Sequence, residues 1–325
     1  MDALSDVLRA VRLTGAVFFD VRATEPWVAE TPAGSAVVSS MFPGADHMMC
    51  FHVITEGTAW ATCDSAKPTR LSAGDVVLFP HGDGHALASA PGVRDSPEIG
   101  MYRRPSEGQL PFSLVIGGSQ PGSAHVVCGF LGCDAAPFNP LLEALPRVIC
   151  VTGAVGGAIA AFAAFASAET RDARVGSDAV LGRLSELLFV DVVRRHLETL
   201  PPDHTGWLAA LREPFVGKAL TALHREPGRA WTLESLARAI GLSRSALADR
   251  FTHVVGQPPM QYLTNWRMQC AATELVTGSD TIAAIGERVG YESEAAFSRA
   301  FKKVTGVPPG EWRRRRSGAS LPTTS

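Results

Sequence analysis

Near its C-terminus the chain carries one pattern twice. The stretch SLARAIGLSRSALADRF (235–251) is echoed by AIGERVGYESEAAFSRAF (284–301), with Gly241 matched by Gly290 and Phe251 by Phe301. Each copy reads as a helix, a glycine turn and a second helix. Leu236, Ala237, Ile240, Leu247 and Phe251 have the spacing that seals one helix pair, and Ile282, Ile285, Val289, Phe297 and Phe301 seal the other. Glycine suits the turn because it reaches left-handed backbone angles at no steric cost, and Ser243 and Ser293 stand where an N-cap opens each second helix. Such a turn leaves one face of the second helix outward, as a DNA-reading helix requires. A plain helical hairpin would account for one copy equally well. Two copies, joined by an amphipathic segment with Tyr262, Trp266 and Leu275, favour paired helix-turn-helix units.

The remaining residues supply a second domain of a different class. With 325 residues, 46% of them hydrophobic, the chain can bury two cores. From 14 to 134 it reads as short strands between turn signals, among them AVFFDV, CFHVITEG, GTAWATC, DVVLFP and HVVCGFLGC, which suggests a barrel or sandwich. Helix formers then take over. Residues 177–200 place Leu181, Leu184, Leu188 and Val192 on one helical face, a surface for packing on the barrel or for pairing with a second copy, and PPDHTG is a linker. The expected organisation is α+β and multidomain: a β-barrel over 1–150, a helical connector and dimerisation segment over 151–206, an all-α domain with two helix-turn-helix units over 207–316, and a disordered tail over 317–325.

Charge divides along the same line. Residues 213–316 hold 15 Lys and Arg against 10 Asp and Glu, whereas the rest holds 15 against 22, within a net charge of -2. A mildly basic C-terminal third suits nucleic acid without demanding it. The apolar run VTGAVGGAIAAFAAFA (151–166) is too short and too rich in Ala and Gly to span a bilayer, and the N-terminus lacks the pattern of a secretory leader. A cytoplasmic protein with no membrane partner is expected. The six cysteines lack CxxC spacing and read as buried small hydrophobes. Cys128 and Cys133, five apart, would lie on opposite faces of a regular strand.

The helical part resembles the AraC/XylS family of transcriptional regulators across about one hundred residues. AWTLESLARAIGLSRSALADRFTHVVGQPPMQYLTNWRMQCA and IAAIGERVGYESEAAFSRAFKKVTGVPPGEWRR carry the resemblance, including GYES and GVPP, with Gly286 where the family usually has Ala. The resemblance implies double-stranded DNA as partner, read by two second helices about 34 Å apart in successive major-groove segments. RNA polymerase is a further candidate partner, for a regulator that acts as an activator or as a repressor. By similarity, Ser245, Ala248 and Asp249 of the first unit and Glu294, Ala295, Ser298 and Arg299 of the second face the bases, with Arg244 also outward. Arg299 suits a guanine edge, while Asp249 and Glu294 can only accept, as from cytosine N4. Asp249 has the alternative of pairing with Arg250. Lys302, Lys303 and Arg313 to Arg316 are candidates for phosphate. Gly286 is expected to loosen the second unit.

The strand-rich part resembles the cupin superfamily of small β-barrels. GDVVLFPHGDGH places Gly74, Pro80, Gly82 and His85 at the spacing of the second cupin motif, and CFHVITEG offers Cys50, His52 and Glu56 at the spacing of the first, with Cys50 replacing its first histidine. Residues i and i+2 of a strand point to one side, so Cys50 and His52 could share the interior with His85 and Glu56. Such a set would favour a divalent metal, zinc first, iron or nickel less. In the competing reading His52 and His85 are hydrogen-bonded inside an effector-binding barrel. His47 and His81 are candidates for lining its pocket. Together the resemblances imply a cupin-like sensor barrel controlling promoter binding in response to an unidentified small molecule, metal or oxidant, with no catalysis. The alternative is a metal-dependent cupin enzyme fused to a DNA-binding domain.

Overall fold

The computed structural model describes residues 2–103, 110–118, 124–152, 158–172 and 174–317. The tail expected to be disordered lies, beyond Ser317, outside the described residues. The chain forms two compact units, one of residues 13–133 and 146–199, the other of 1–12, 134–145 and 200–325.

Among the described residues the first unit has nine strands: β1 (Thr14–Thr24), β2 (Val28–Thr31), β3 (His47–Cys63), β4 (Ala66–Ser72), β5 (Val76–Phe79), β6 (His85–Ala88), β7 (Phe112–Gly117), β8 (Ala124–Cys133) and β9 (Ile149–Val151). They follow the order β2-β6-β3-β8-β1-β7, with β4 and β5 also on β3 and β9 on β5. Every pairing is antiparallel except β1 with β7. The sequence suggested two strands at CFHVITEG and GTAWATC; the structure has one, β3. Its first half pairs with β8 and β5, and its second half with β6 and β4. A register shift between Ile54 and Glu56 bends it, as an inserted bulge residue does. The inward set accordingly changes parity, from Met48, Cys50 and Ile54 to Ala59, Ala61 and Cys63. Helix α2 (Gly34–Met41) lies against β3.

After β9 come α4 (Ala158–Asp172) and α5 (Ser177–Thr199). Helix α5 packs on β1, one of the two roles the sequence left open for it. The approach needs glycine on both sides: a Cβ on Gly15 would lie 2.6 Å from the carbonyl of Gly182, and one on Gly182 would lie 2.8 Å from that of Gly15.

The second unit holds α1 (Ala3–Ala10), α3 (Pro140–Ala144), α6 (Trp207–Ala210), α7 (Val216–Arg225), α8 (Leu233–Ile240), α9 (Arg244–Val255), α10 (Pro259–Thr277), α11 (Ile282–Arg288), α12 (Glu294–Thr305) and α13 (Pro309–Ser317). The sequence boundaries gave residues 1–12 and 134–145 to the barrel, whereas here they pack with the C-terminal helices. Gln269 of α10, fully buried, explains why. Its amide donates to the Ala10 carbonyl at 2.9 Å and its oxygen accepts the Phe138 N–H at 3.1 Å. A buried amide must find such partners, and both segments supply them. Tyr262 and Trp266 of α10 are also fully buried, and Phe297 and Phe301 close the second core.

Candidate DNA interface and barrel cavity

Both repeats fold as helix, turn and helix. Gly241 and Gly290 adopt φ of 80° and 87°. Ser243 accepts the Ala246 N–H and Ser293 the Ala296 N–H, each at 3.2 Å. Leu247 and Phe251 turn α9 inward, as Phe297 and Phe301 turn α12, so the remaining positions face out. Arg244, Ser245, Asp249, Glu294, Ala295, Arg299, Lys302 and Lys303 are exposed, and Ala248 and Ser298 are half-buried. Among the described residues, no ion pair engages Arg244, Asp249, Glu294, Arg299, Lys302 or Lys303. Arg250 turns to Glu213 at 3.5 Å and lies over the Phe215 ring, so Asp249 does not take it.

Two expectations change here. The run Arg313 to Arg316 is mostly engaged: Arg313 donates to the carbonyls of Leu275 and Asp280, Arg315 pairs with Glu311, and Arg316 pairs with Asp134 at 2.9 Å. Arg314 remains exposed. Four consecutive arginines on a helix point in different directions, and three meet this unit's own carbonyls and carboxylates. Gly286 tightens the second unit instead of loosening it, because a Cβ there would stand 3.0 Å from Cβ and Cγ of Phe297.

In the barrel unit, FPHGDGH is a turn that aims His85. Gly82 takes φ of 65°, and a Cβ on it would lie 2.5 Å from the Met48 carbonyl. His85 donates from Nδ1 to the Asp83 carbonyl at 2.7 Å, and its Nε2 lies 2.7 Å from Nε2 of His52. Both rings are buried, and burial lowers both basicities, that of His85 to about 4. Burial likewise pushes the thiols of Cys50 and Cys128 up, so neither is an available thiolate.

The four-ligand set expected of Cys50, His52, Glu56 and His85 is not assembled. The bulge before Glu56 puts this carboxylate at the surface, while Cys50 sits fully buried in the apolar core. Two imidazole nitrogens directed at each other fall short of the three protein ligands of a zinc site, and among the described residues no group of three His, Cys, Asp or Glu is placed to hold a metal ion. These residues do not fit a resident metal. His47 and His81 do not line the cavity either. His47 stands on the alternate face of β3 from His52 and donates from Nε2 to the Pro80 carbonyl at 2.7 Å.

Beside the histidine pair lies a cavity of about 180 Å³. Phe19 and Val21 of β1 and Cys128 and Phe130 of β8 form its wall, with Tyr102 and His52. Tyr102 meets Phe19 and Phe130 edge to face and donates to the Glu30 carbonyl at 3.1 Å. Exposed Asp95 and Glu98 stand at the rim. Sequence reading missed this set. Alternation along β1 and β8 could have found the wall, but Tyr102 and the acidic rim come from an irregular segment without periodicity. Among the described residues no helix is long and apolar enough to cross a membrane.

Comparison with known proteins agrees with both units. A cupin family model matches residues 2–198, and a helix-turn-helix domain model matches 236–315. The chain is 32% identical over 317 residues to a protein of Streptomyces lividans described as an AraC-like transcription regulator, covering 97% of this chain and 98% of that one. It is 29% identical over 319 residues to the HTH-type transcriptional regulator AlkR of Acinetobacter baylyi, covering 96% and 99%. The solved C-terminal domain of AraT, a response regulator from Geobacillus stearothermophilus, is similar over 35% of this chain and 92% of that one, at 32% identity and a TM-score of 0.32. With a cupin unit in front of a double helix-turn-helix unit that binds double-stranded DNA, the chain belongs to the AraC-type transcriptional regulators.

Proposed function

We propose that this regulator is a one-component sensor, in which the barrel takes up a small molecule and so changes the affinity of the helix-turn-helix units for promoter DNA. The observation that carries this reading is the cavity inside the barrel wall, apolar and aromatic with one buried polar ring, His52. Small-molecule sites have this composition. The raised thiols of Cys50 and Cys128 speak for a molecule over an oxidant. Control requires that the ligand bind two conformations unequally, since an equal binder shifts nothing.

On the DNA side, Ser245, Ala248 and Asp249 of α9 and Glu294, Ala295, Ser298 and Arg299 of α12 face base edges. Arg244, Lys302, Lys303 and Arg314 hold phosphates. Their outward placement on the two second helices supports these roles. Homodimerisation through α5, where Val180 and Leu187 remain exposed, RNA polymerase contact by an activator, work in the cytoplasm and the absence of catalysis belong to the same proposal.

The test is the DNA affinity of the full chain, by fluorescence anisotropy, with ligands that raise its thermal midpoint. Ligands that stabilise the protein and also shift DNA affinity are expected. Stabilising ligands that never change DNA affinity overturn the coupling. Substrate turnover with stoichiometric divalent metal would favour the fused cupin enzyme.

A further inference from the structure

The polar groups inside the barrel cavity are engaged with the protein itself. Tyr102 donates its hydroxyl proton to the Glu30 carbonyl at 3.1 Å, and its oxygen is hydrogen-bonded to the Thr31 side chain. His52 turns Nε2 to Nε2 of His85 at 2.7 Å, and its Nδ1 is buried within the protein, out of a ligand's reach. The interior therefore receives an apolar body, and a polar group on such a molecule must stay at the mouth, where it keeps its solvation. The mouth carries charge of one sign. Glu30, Asp95 and Glu98 line the cavity, and no Lys or Arg among the described residues does. Glu30 is spent: Arg94 donates from Nε to both its oxygens, at 2.9 and 3.0 Å, and Arg94 is itself shared with Asp64 at 2.8 Å. Asp95 and Glu98 are exposed and, among the described residues, held by no ion pair. Glu30 also fixes the segment that bears them, since its carboxylate accepts the Asp95 N–H and its carbonyl the Tyr102 hydroxyl.

We propose that the molecule taken up by the barrel is a small organic cation, whose apolar body of about one aromatic ring fills the cavity and whose protonated amine stays at the mouth beside Asp95 and Glu98. The proposal rests on the sensor reading above and names the class of its ligand. Size follows from the volume: an apolar cavity of about 150 Å³ takes up benzene, and this one has about 180 Å³. The sign of the charge follows from the mouth. An anion there would meet two unpaired carboxylates of its own sign, whereas an ammonium group keeps contact with water and gains both attractions. A neutral molecule gains neither.

The experiment uses the full chain with three probes of similar size: phenethylamine, a cation at neutral pH, the uncharged phenethyl alcohol, and the anion phenylacetate. Calorimetry at low and at high salt reads affinity. At low salt the amine should bind about 10-fold more tightly than the alcohol, with phenylacetate weakest, and high salt should shrink the preference because the mouth is exposed. Asp95→Asn combined with Glu98→Gln should bring the amine down to the alcohol and leave the alcohol unchanged. Leu114→Trp, which fills the cavity from β7, should abolish binding of all three. Equal affinity for amine and alcohol, or a preference for phenylacetate, lost in Leu114→Trp, overturns the cation assignment and leaves the cavity reading standing. An amine preference that survives the double variant overturns the role of Asp95 and Glu98. No binding of any probe overturns the proposal outright, and DNA affinity that still responds to a different ligand would then preserve the sensor reading alone.

Discussion

The guanidinium of Arg12 grips the carboxylate of Asp134, with Nε and Nη2 at 2.6 and 2.7 Å from its two oxygens. Arg316 adds a third contact at 2.9 Å. Arg12 holds a left-handed φ of 52°, unusual for a residue with a Cβ, and the bidentate pairing offsets that strain. Asp134→Ala should leave two half-buried guanidinium groups without this partner and destabilise the C-terminal unit by about 1.5–3 kcal/mol. Faster hydrogen exchange along α10 and a lower urea midpoint would show it; an unchanged midpoint would mean that solvent replaces the carboxylate.

Arg299 is exposed and unpaired midway along α12, so its guanidinium is available to a guanine edge. Arg299→Ala should weaken binding to promoter DNA by about 1–3 kcal/mol while sparing random DNA. Equal losses on both DNAs in a competition titration would reassign it to phosphate.

Lys302 and Arg313 should differ although both are basic. Lys302→Ala should lower the slope of log affinity against log salt by about 0.9. Arg313→Ala should leave the slope unchanged and loosen α13, because Arg313 is spent on the carbonyls of Leu275 and Asp280. Affinity measured over a salt series, with a thermal melt of each variant, separates the two.

A larger residue at Gly286 must displace Phe297, which is fully buried. Gly286→Val should cost about 1–3 kcal/mol through overpacking, seen as a lowered melting midpoint with weakened DNA binding. A more stable variant would show that α11 and α12 can move apart without penalty.

His224 is buried against Trp266 and accepts the Tyr262 O–H at Nε2, while Trp207 donates to the same oxygen. Burial lowers its pKa from 6.5 to about 3. The unfolded chain therefore binds a proton below pH 6.5 that the folded chain refuses until about pH 3. The stabilisation is complete above 6.5 and is lost as pH falls, at up to about 1.4 kcal/mol per pH unit. Urea midpoints between pH 7.5 and 5 should fall less steeply for His224→Gln.

What the sequence determined by itself lies where the pattern is local. The double helix-turn-helix was legible because apolar spacing, Gly241 and Gly290, and the caps Ser243 and Ser293 are read within a few residues of one another. Helix 177–199 and most strands followed from the same local periodicity. The tertiary structure decided everything that depended on distant partners. One bulge before Glu56 turned an expected ligand out of the barrel, because a one-residue shift exchanges the faces of a strand. The carbonyl of Asp83 set the tautomer of His85 and hence of His52, and an aperiodic loop brought Tyr102 over the cavity. Residues 1–12 and 134–145 joined the C-terminal helices because buried Gln269 needed their backbone groups. No spacing within either segment encodes that need, since the partner lies more than a hundred residues away.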